Sequence, residues 1–272
     1  MSIFQLDIYG RTKVETAIER CKRFEPKDGY YLAFSGGKDS VVIKALADMA
    51  GVKYDAHYAI TSVDPPELVR FIKDEHPDVI RERQYWKTDG IYHKAGDPIT
   101  MWNLIPHKGM PPTRLARYCC QYLKEQGGRD RFVITGVRWA ESAKRKKYRA
   151  GLELSDKLTG DREHHDPDSE ELKHTTQKYA RRGLNPIVDW SNDEVWEFIR
   201  EYNIPYCKLY DKGYKRLGCI GCPISTKQAT ELNNYPKFKQ AYLHSFERML
   251  KIHDTTWNTA EEVMAWWTRW ND

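Results

Sequence analysis

Two groups of residues in this chain are of types and spacings that do chemistry. The first is Ser35-Gly36-Gly37-Lys38-Asp39-Ser40, set between the apolar run Tyr30-Tyr31-Leu32-Ala33-Phe34 and an apolar stretch of helical spacing. Gly36 and Gly37 admit positive φ and a close approach of backbone to ligand. Successive N–H groups in such a turn, with the positive end of a helix starting near Asp39, make a cradle for an anion. Ser35 and Ser40 add hydroxyls and Lys38 adds a charge. The commonest phosphate loop is excluded. Its first glycine would fall on Leu32, and Asp39 stands where that loop needs Ser or Thr. The dinucleotide pattern G-x-G-x-x-G is missing too. Asp39 is at odds with an anion site unless it caps the helix or meets a magnesium ion carried by the phosphates.

The second group is made of thiols. Cys119 and Cys120 are adjacent, Cys219 and Cys222 form a C-x-x-C, and Cys21 and Cys207 stand alone. Four thiolates suit tetrahedral zinc or an iron–sulfur cluster, although two adjacent cysteines are an unusual zinc pair. Clustered thiols in a cytosolic chain indicate metal or redox chemistry rather than structural disulfides. Arg114, Arg117 and Lys124 lie near enough in sequence to offset the negative charge. Cys21 falls on an apolar helical stripe with Val14, Ala17 and Ile18 and reads as core. His164-His165-Asp166 reads as part of a solvated loop, because adjacent histidines share no helix face and further ligands are absent nearby.

The elements that must hold these groups alternate. Helical spacing covers residues 12–24, 40–50, 66–75, 117–126 and 192–202; strand-like runs cover 30–34, 54–60, 78–82 and 131–137. Such alternation predicts a parallel α/β sheet. Three polar clusters, at residues 35–40, 61–64 and 138–145, fall at the carboxyl ends of predicted strands, where open α/β sheets bind ligands. Periodicity disappears over residues 150–182, which predicts a mobile loop. Two or three helices follow residue 226, with Trp257, Trp266, Trp267 and Trp270 as packing residues.

The chain has 272 residues, 31% charged and 40% hydrophobic, and carries a net charge of +5. No stretch is apolar enough to span a bilayer. The N-terminus lacks a basic stretch followed by an apolar one, so a cytoplasmic location is expected. The mild basicity permits an anionic substrate or a nucleic acid without demanding either.

Ser35-Gly36-Gly37-Lys38-Asp39-Ser40 resembles the PP-loop of the ATP-pyrophosphatase, or adenine nucleotide α-hydrolase-like, superfamily. Residues 61–67, the run Gly136-Val137-Arg138-Trp139-Ala140-Glu141-Ser142-Ala143-Lys144-Arg145, and residues 186–196 and 204–214 are similar to segments of one branch, the phosphoadenosine-phosphosulfate (PAPS) reductase family. The likeness covers about residues 25–225. It implies a Rossmann-like parallel sheet of the adenine nucleotide α-hydrolase type over residues 1–225, with a helical C-terminal extension over 226–272.

The resemblance also implies roles. ATP, or adenylylsulfate (APS) or PAPS, would lie on Ser35, Gly36, Gly37, Lys38, Asp39 and Ser40 with Mg2+, near Thr61, Glu141 and Ser142. Lys38, Asp39, Arg138 and Arg145 would be the catalytic set, the arginines stabilising phosphate charge. The C-C…C-x-x-C pattern resembles the [4Fe–4S] site of iron–sulfur members, including APS reductases and a subunit of DNA phosphorothioation systems. That assigns Cys119, Cys120, Cys219 and Cys222 to a cluster. The reductases carry a further cysteine in Glu-Cys-Gly-(Ile/Leu)-His, whereas the last cysteine here is Cys222; Cys207 reads as a bystander rather than its substitute.

The implied activity is adenylation of an acceptor oxygen followed by sulfur transfer. The acceptor would be DNA or tRNA held through residues 144–149, and a cysteine desulfurase would donate the sulfur. The alternatives are an APS/PAPS reductase and a non-catalytic nucleotide-binding subunit. The oligomeric state stays open.

Overall fold

The computed structural model describes residues 2–155, 162–168 and 181–269. Its seven strands are β1 (Tyr30–Ala33), β2 (Tyr54–Ala59), β3 (Ile80–Glu82), β4 (Phe132–Ile134), β5 (Leu152–Ser155), β6 (Arg162–His165) and β7 (Arg181–Leu184), in the order β3-β2-β1-β4-β7-β5-β6. β1 runs parallel to β2 and β4, with Leu32 opposite Ala56 on one side and Ile134 on the other. β4 runs parallel to β7. Buried on both faces, β1 reads as a continuous apolar run, as central parallel strands do. The sheet is therefore the α/β, parallel-dominated, Rossmann-like one expected.

One expectation is corrected. Residues 150–182 were read as a loop, yet β5 pairs antiparallel with both β7 and β6, with Glu153 opposite His164 and Leu152 opposite His165. Leu152 and Leu154 are buried with Glu153 between them, but so short an alternation inside a charged segment does not stand out as a strand. Residues 156–161 and 169–180 of that segment lie outside the described residues.

The helices are α1 (Lys13–Arg23), α2 (Lys38–Ala50), α3 (Pro66–Glu75), α4 (Met101–Lys108), α5 (Tyr118–Leu123), α6 (Ala143–Tyr148), α7 (Asn192–Glu201), α8 (Gln228–Asn234), α9 (Pro236–Leu250) and α10 (Ala260–Arg269). Thr12 with Glu15 and Ser191 with Glu194 form capping boxes that start α1 and α7. α4, which the sequence pattern did not reveal, contains Pro106. Proline has no N–H to give the carbonyl of Trp102, and that oxygen instead accepts from Ser245 Oγ at 3.0 Å and Arg248 Nη1 at 3.4 Å.

The chain divides into two compact units. The first comprises Met1–Tyr58, Arg70–Ile80 and Gly128–Leu217; the second comprises Ala59–Val69, Arg81–Gly127 and Gly218–Asp272. Tyr30, Leu32, Ile43, Phe132, Trp190 and Phe198 are buried in the first. The second has its own apolar cluster, with Leu104, Leu123, Ile220, Tyr242, Phe246 and Trp267 at its centre. The C-terminal helices thus group with residues 59–69 and 81–127, and no single chain position near 225 separates the units. Trp267 packs on Tyr242 and Phe246, and Trp257 on Trp266; Trp270 lies outside the described residues. Among the described residues no helix is long and apolar enough to cross a membrane.

Candidate functional site

The first unit carries the glycine turn. β1 ends at Ala33 and α2 begins at Lys38, so residues 35–37 make the reversal between strand and helix. Gly36 has φ +70°, in the left-handed region where a side chain is strained. Ser40 Oγ donates to the Gly37 carbonyl at 2.8 Å, and Ser35 Oγ lies 3.3 Å from Ser40 Oγ. Gly136, just past β4, lets that strand end press on α2: an added Cβ would sit 2.9 Å from the Asp39 carbonyl carbon and oxygen.

Asp39, the residue at odds with an anion site, is neutralised from two sides. Its Oδ2 accepts from Lys38 Nζ at 3.0 Å and its Oδ1 from Arg138 Nε at 2.7 Å. Arg138 is 0% exposed, and its remaining groups donate to the Trp190 carbonyl at 3.1 Å and to Asn192 Oδ1 at 2.8 Å. Each of its three guanidinium nitrogens thus donates to protein, Nε to Asp39. Arg145 pairs with Glu141, whose Oε1 also accepts from the Arg138 amide at 3.1 Å. Ser142 Oγ accepts from the Arg145 amide and caps α6. Burial holds the Arg145 guanidinium below its ordinary value; Glu141 opposes this, and Arg216 and Arg149 add to it. Arginine stays charged regardless.

Tyr210 and Arg216 were not assigned roles from the sequence. Tyr210 Oη accepts from the Lys38 amide at 2.9 Å. No spacing rule announces a bond across 172 residues. A tyrosine in the quoted 204–214 segment was the sole signal.

The second unit carries the four thiols. Cys119 and Cys219 pack against its apolar cluster. Arg117 Nη2 donates to Cys120 Sγ at 3.2 Å. The Cys119 hydrogen bond, with Arg117 and Lys124, draws the Cys120 thiol below its ordinary value, and Cys119 is pushed up correspondingly. Burial pushes Cys219 up to about 11, and the charges of Cys219 and Asp64 hold the Lys124 ammonium above its usual range. Thr61, expected beside the nucleotide, is buried here with Asp64: its Oγ1 donates to Asp64 Oδ2 at 2.6 Å and accepts from the Cys219 thiol at 3.7 Å. Among the described residues no group of three His, Cys, Asp or Glu side chains is arranged to hold a metal ion. Four free thiols, with Arg117 bonded to Cys120 and Lys124 near Cys219, are the donor chemistry that an iron–sulfur cluster takes.

Cys21 and Cys207 are buried. His165 pairs with Glu163 on β6, and His164 is exposed there.

Residues 29–225 match the phosphoadenosine phosphosulfate reductase domain. An uncharacterised protein of Methanocaldococcus jannaschii is 27% identical over 80% of this chain and 40% of its own length. The adenosine 5'-phosphosulfate reductase of Pseudomonas aeruginosa is 27% identical over 72% of this chain and 66% of its own. The chain thus spans less than half of the first relative. Among solved structures, a phosphate complex of the phosphoadenylyl-sulfate reductase of Candida auris is similar with a TM-score of 0.45 and 14% identity, over 80% of this chain and 98% of that one. With a turn of the PP-loop sequence placed between β1 and α2 and the family's domain matched over residues 29–225, the chain belongs to the phosphoadenosine phosphosulfate reductase family.

Proposed function

We propose that this chain binds ATP on residues 35–40 and adenylates an acceptor oxygen for replacement by sulfur. The observation that carries the reading is charge. The turn's one carboxylate, Asp39, is neutralised by Lys38 and Arg138, while Arg145 and Arg149, paired with Glu141 and Glu153, and Arg216 stand in the same region. That excess of cations suits a polyphosphate, and Gly36 with the start of α2 supplies backbone donors. Lys38 would meet the phosphates, and Arg145 would stabilise charge as pyrophosphate leaves. Asp39, held by Arg138, would orient Lys38. A magnesium ion would travel with the triphosphate. Exposed Lys144, Lys146 and Lys147 on α6 support a nucleic-acid acceptor, contacted through its phosphates. A cysteine desulfurase is the class of partner that would deliver the sulfur. Cys119, Cys120, Cys219 and Cys222 would hold a [4Fe–4S] cluster, which supplies electrons or a sulfide-binding iron when bound.

The relation to the Pseudomonas enzyme supports a second reading, reduction of APS or PAPS to sulfite. The two separate by product. Pyrophosphate release from ATP with DNA or tRNA present is expected for adenylation. Robust sulfite release from APS or PAPS with thioredoxin, without pyrophosphate chemistry, would replace the first reading by the second. Lys38→Ala should weaken ATP binding far more than His164→Ala; equal effects would show the turn is not the nucleotide site.

A further inference from the structure

The second unit holds a cleft of about 190 Å³ whose wall includes Tyr92, His93, Asn103, His107, Ile252 and His253, none of them used by the phosphate turn or the thiols. His93 is 5% exposed and stacks on Trp86 with ring centroids 3.7 Å apart; the Trp86 ring also meets His107 at 4.6 Å. Gly90 makes this placement feasible, because a Cβ there would fall 2.3 Å from His93 Nε2. His93 Nε2 and His107 Nδ1 are 3.3 Å apart and share one proton. Whichever ring carries it, His93 Nδ1 remains buried without a hydrogen-bond partner. Buried polar atoms of that kind are normally satisfied by water or ligand. His253 Nε2 donates to the Pro106 carbonyl at 2.6 Å, which fixes that ring.

Lys108 and Arg248 stand beside the cleft residues, and Asp89 and Asp97 lie on the adjoining loop. His107 is exposed at the cleft; partial desolvation holds it below its ordinary value, and His93, Lys108 and His253 push it the same way. Arg248 stands over the Tyr92 ring at 4.1 Å, and Lys108 donates to Tyr122 Oη at 3.0 Å. The nearby loop carboxylates are tied elsewhere: Asp89 accepts from the Ala95 amide and Asp97 from the Lys94 amide.

We propose that this cleft binds a small monocarboxylate with an apolar body, its oxygens accepting from the His93 and His107 imidazoles and its body lying against Ile252 and Pro106. A cavity of about 150 Å³ accepts benzene, so benzoate is a probe of the right size. A bound carboxylate favours the imidazolium form of His107. Binding therefore takes up a proton above that residue's lowered value and tightens as pH falls.

The test is a benzoate titration of the full chain with 15N-labelled histidine. Saturable shifts of the His93 and His107 ring nitrogens are expected, with affinity about tenfold tighter near pH 6 than near pH 8. Calorimetry in buffers of different ionisation enthalpy should show proton uptake, a readout that needs no variant. His107→Asn should remove the pH dependence, and saturating ATP should leave benzoate affinity unchanged. Absence of saturable shifts, equal binding of neutral benzamide, or displacement of benzoate by ATP would each overturn the proposal.

Discussion

Arg138 Nε donates to Asp39 Oδ1 at 2.7 Å, joining residues 99 apart in sequence at the start of the helix that follows the phosphate turn. The guanidinium is fully buried, and its two terminal nitrogens donate to the Trp190 carbonyl and to Asn192. In the proposed phosphate site, this partner would cancel the Asp39 charge and leave Lys38 to meet the anion.

Arg138→Met should accordingly cost about 3 kcal/mol of stability, the usual scale for removing one partner of a buried ion pair. It should also weaken ATP binding more than about tenfold, since Asp39 then competes with phosphate for Lys38. Urea unfolding and nucleotide titration check both. A variant of near-native stability with unchanged ATP affinity would show that Asp39 needs no support.

Tyr210→Phe tests the bond from the Lys38 amide to the Tyr210 hydroxyl. A single hydrogen bond contributes about 1 kcal/mol net. The variant should therefore weaken ATP binding about fivefold through a less ordered turn, with little change in the unfolding midpoint. Tighter ATP binding would mean instead that the tyrosine occupies a phosphate donor and must leave it.

The turn itself was legible because its chemistry is contiguous: six residues between a strand and a helix declare both conformation and charge. The thiol pairs were legible for the same reason. Tyr210, Asn192 and Arg216 were not, since their roles exist only after β1, β4 and α7 are assembled. The position of Thr61 at a strand end suggests the nucleotide, and its hydroxyl donates to Asp64 and accepts from Cys219, partners that no spacing rule announces. The β5–β6 hairpin was not legible because the Leu152-Glu153-Leu154 alternation is too short and its partner strand, Arg162–His165, is polar throughout.

Cys21 supplies a pH prediction. It is buried in α1, and burial pushes its thiol from 9.0 up to about 12 in the folded chain. A group whose folded pKa is raised contributes stability that is fully present below the unfolded value and is lost as pH rises through the folded one. The window is therefore about pH 9 to 12, with a slope up to about 1.4 kcal/mol per pH unit. Cys21→Ala should be less stable than the parent at neutral pH, because a small cavity opens, and the gap should narrow as pH rises into that window. Urea unfolding from pH 7 upward checks it; a constant gap would mean Cys21 is reachable by base without unfolding.

The thiol group predicts a colour. Four free cysteines stand with Arg117 bonded to Cys120 and with Lys124 held by Cys219 and Asp64, cations that offset a negatively charged cluster. Anaerobically purified protein should be brown with broad absorption towards the blue, and Cys119→Ala should bleach it. Because Lys38 lies in the other unit, Lys38→Ala should leave the absorption intact while abolishing ATP binding. Arg117→Leu should retain the cluster but lower its reduction potential, since removing a cation disfavours the added electron. Colourless protein with stoichiometric zinc would sink the cluster reading. Colour that survives Cys119→Ala would place the cluster on other ligands.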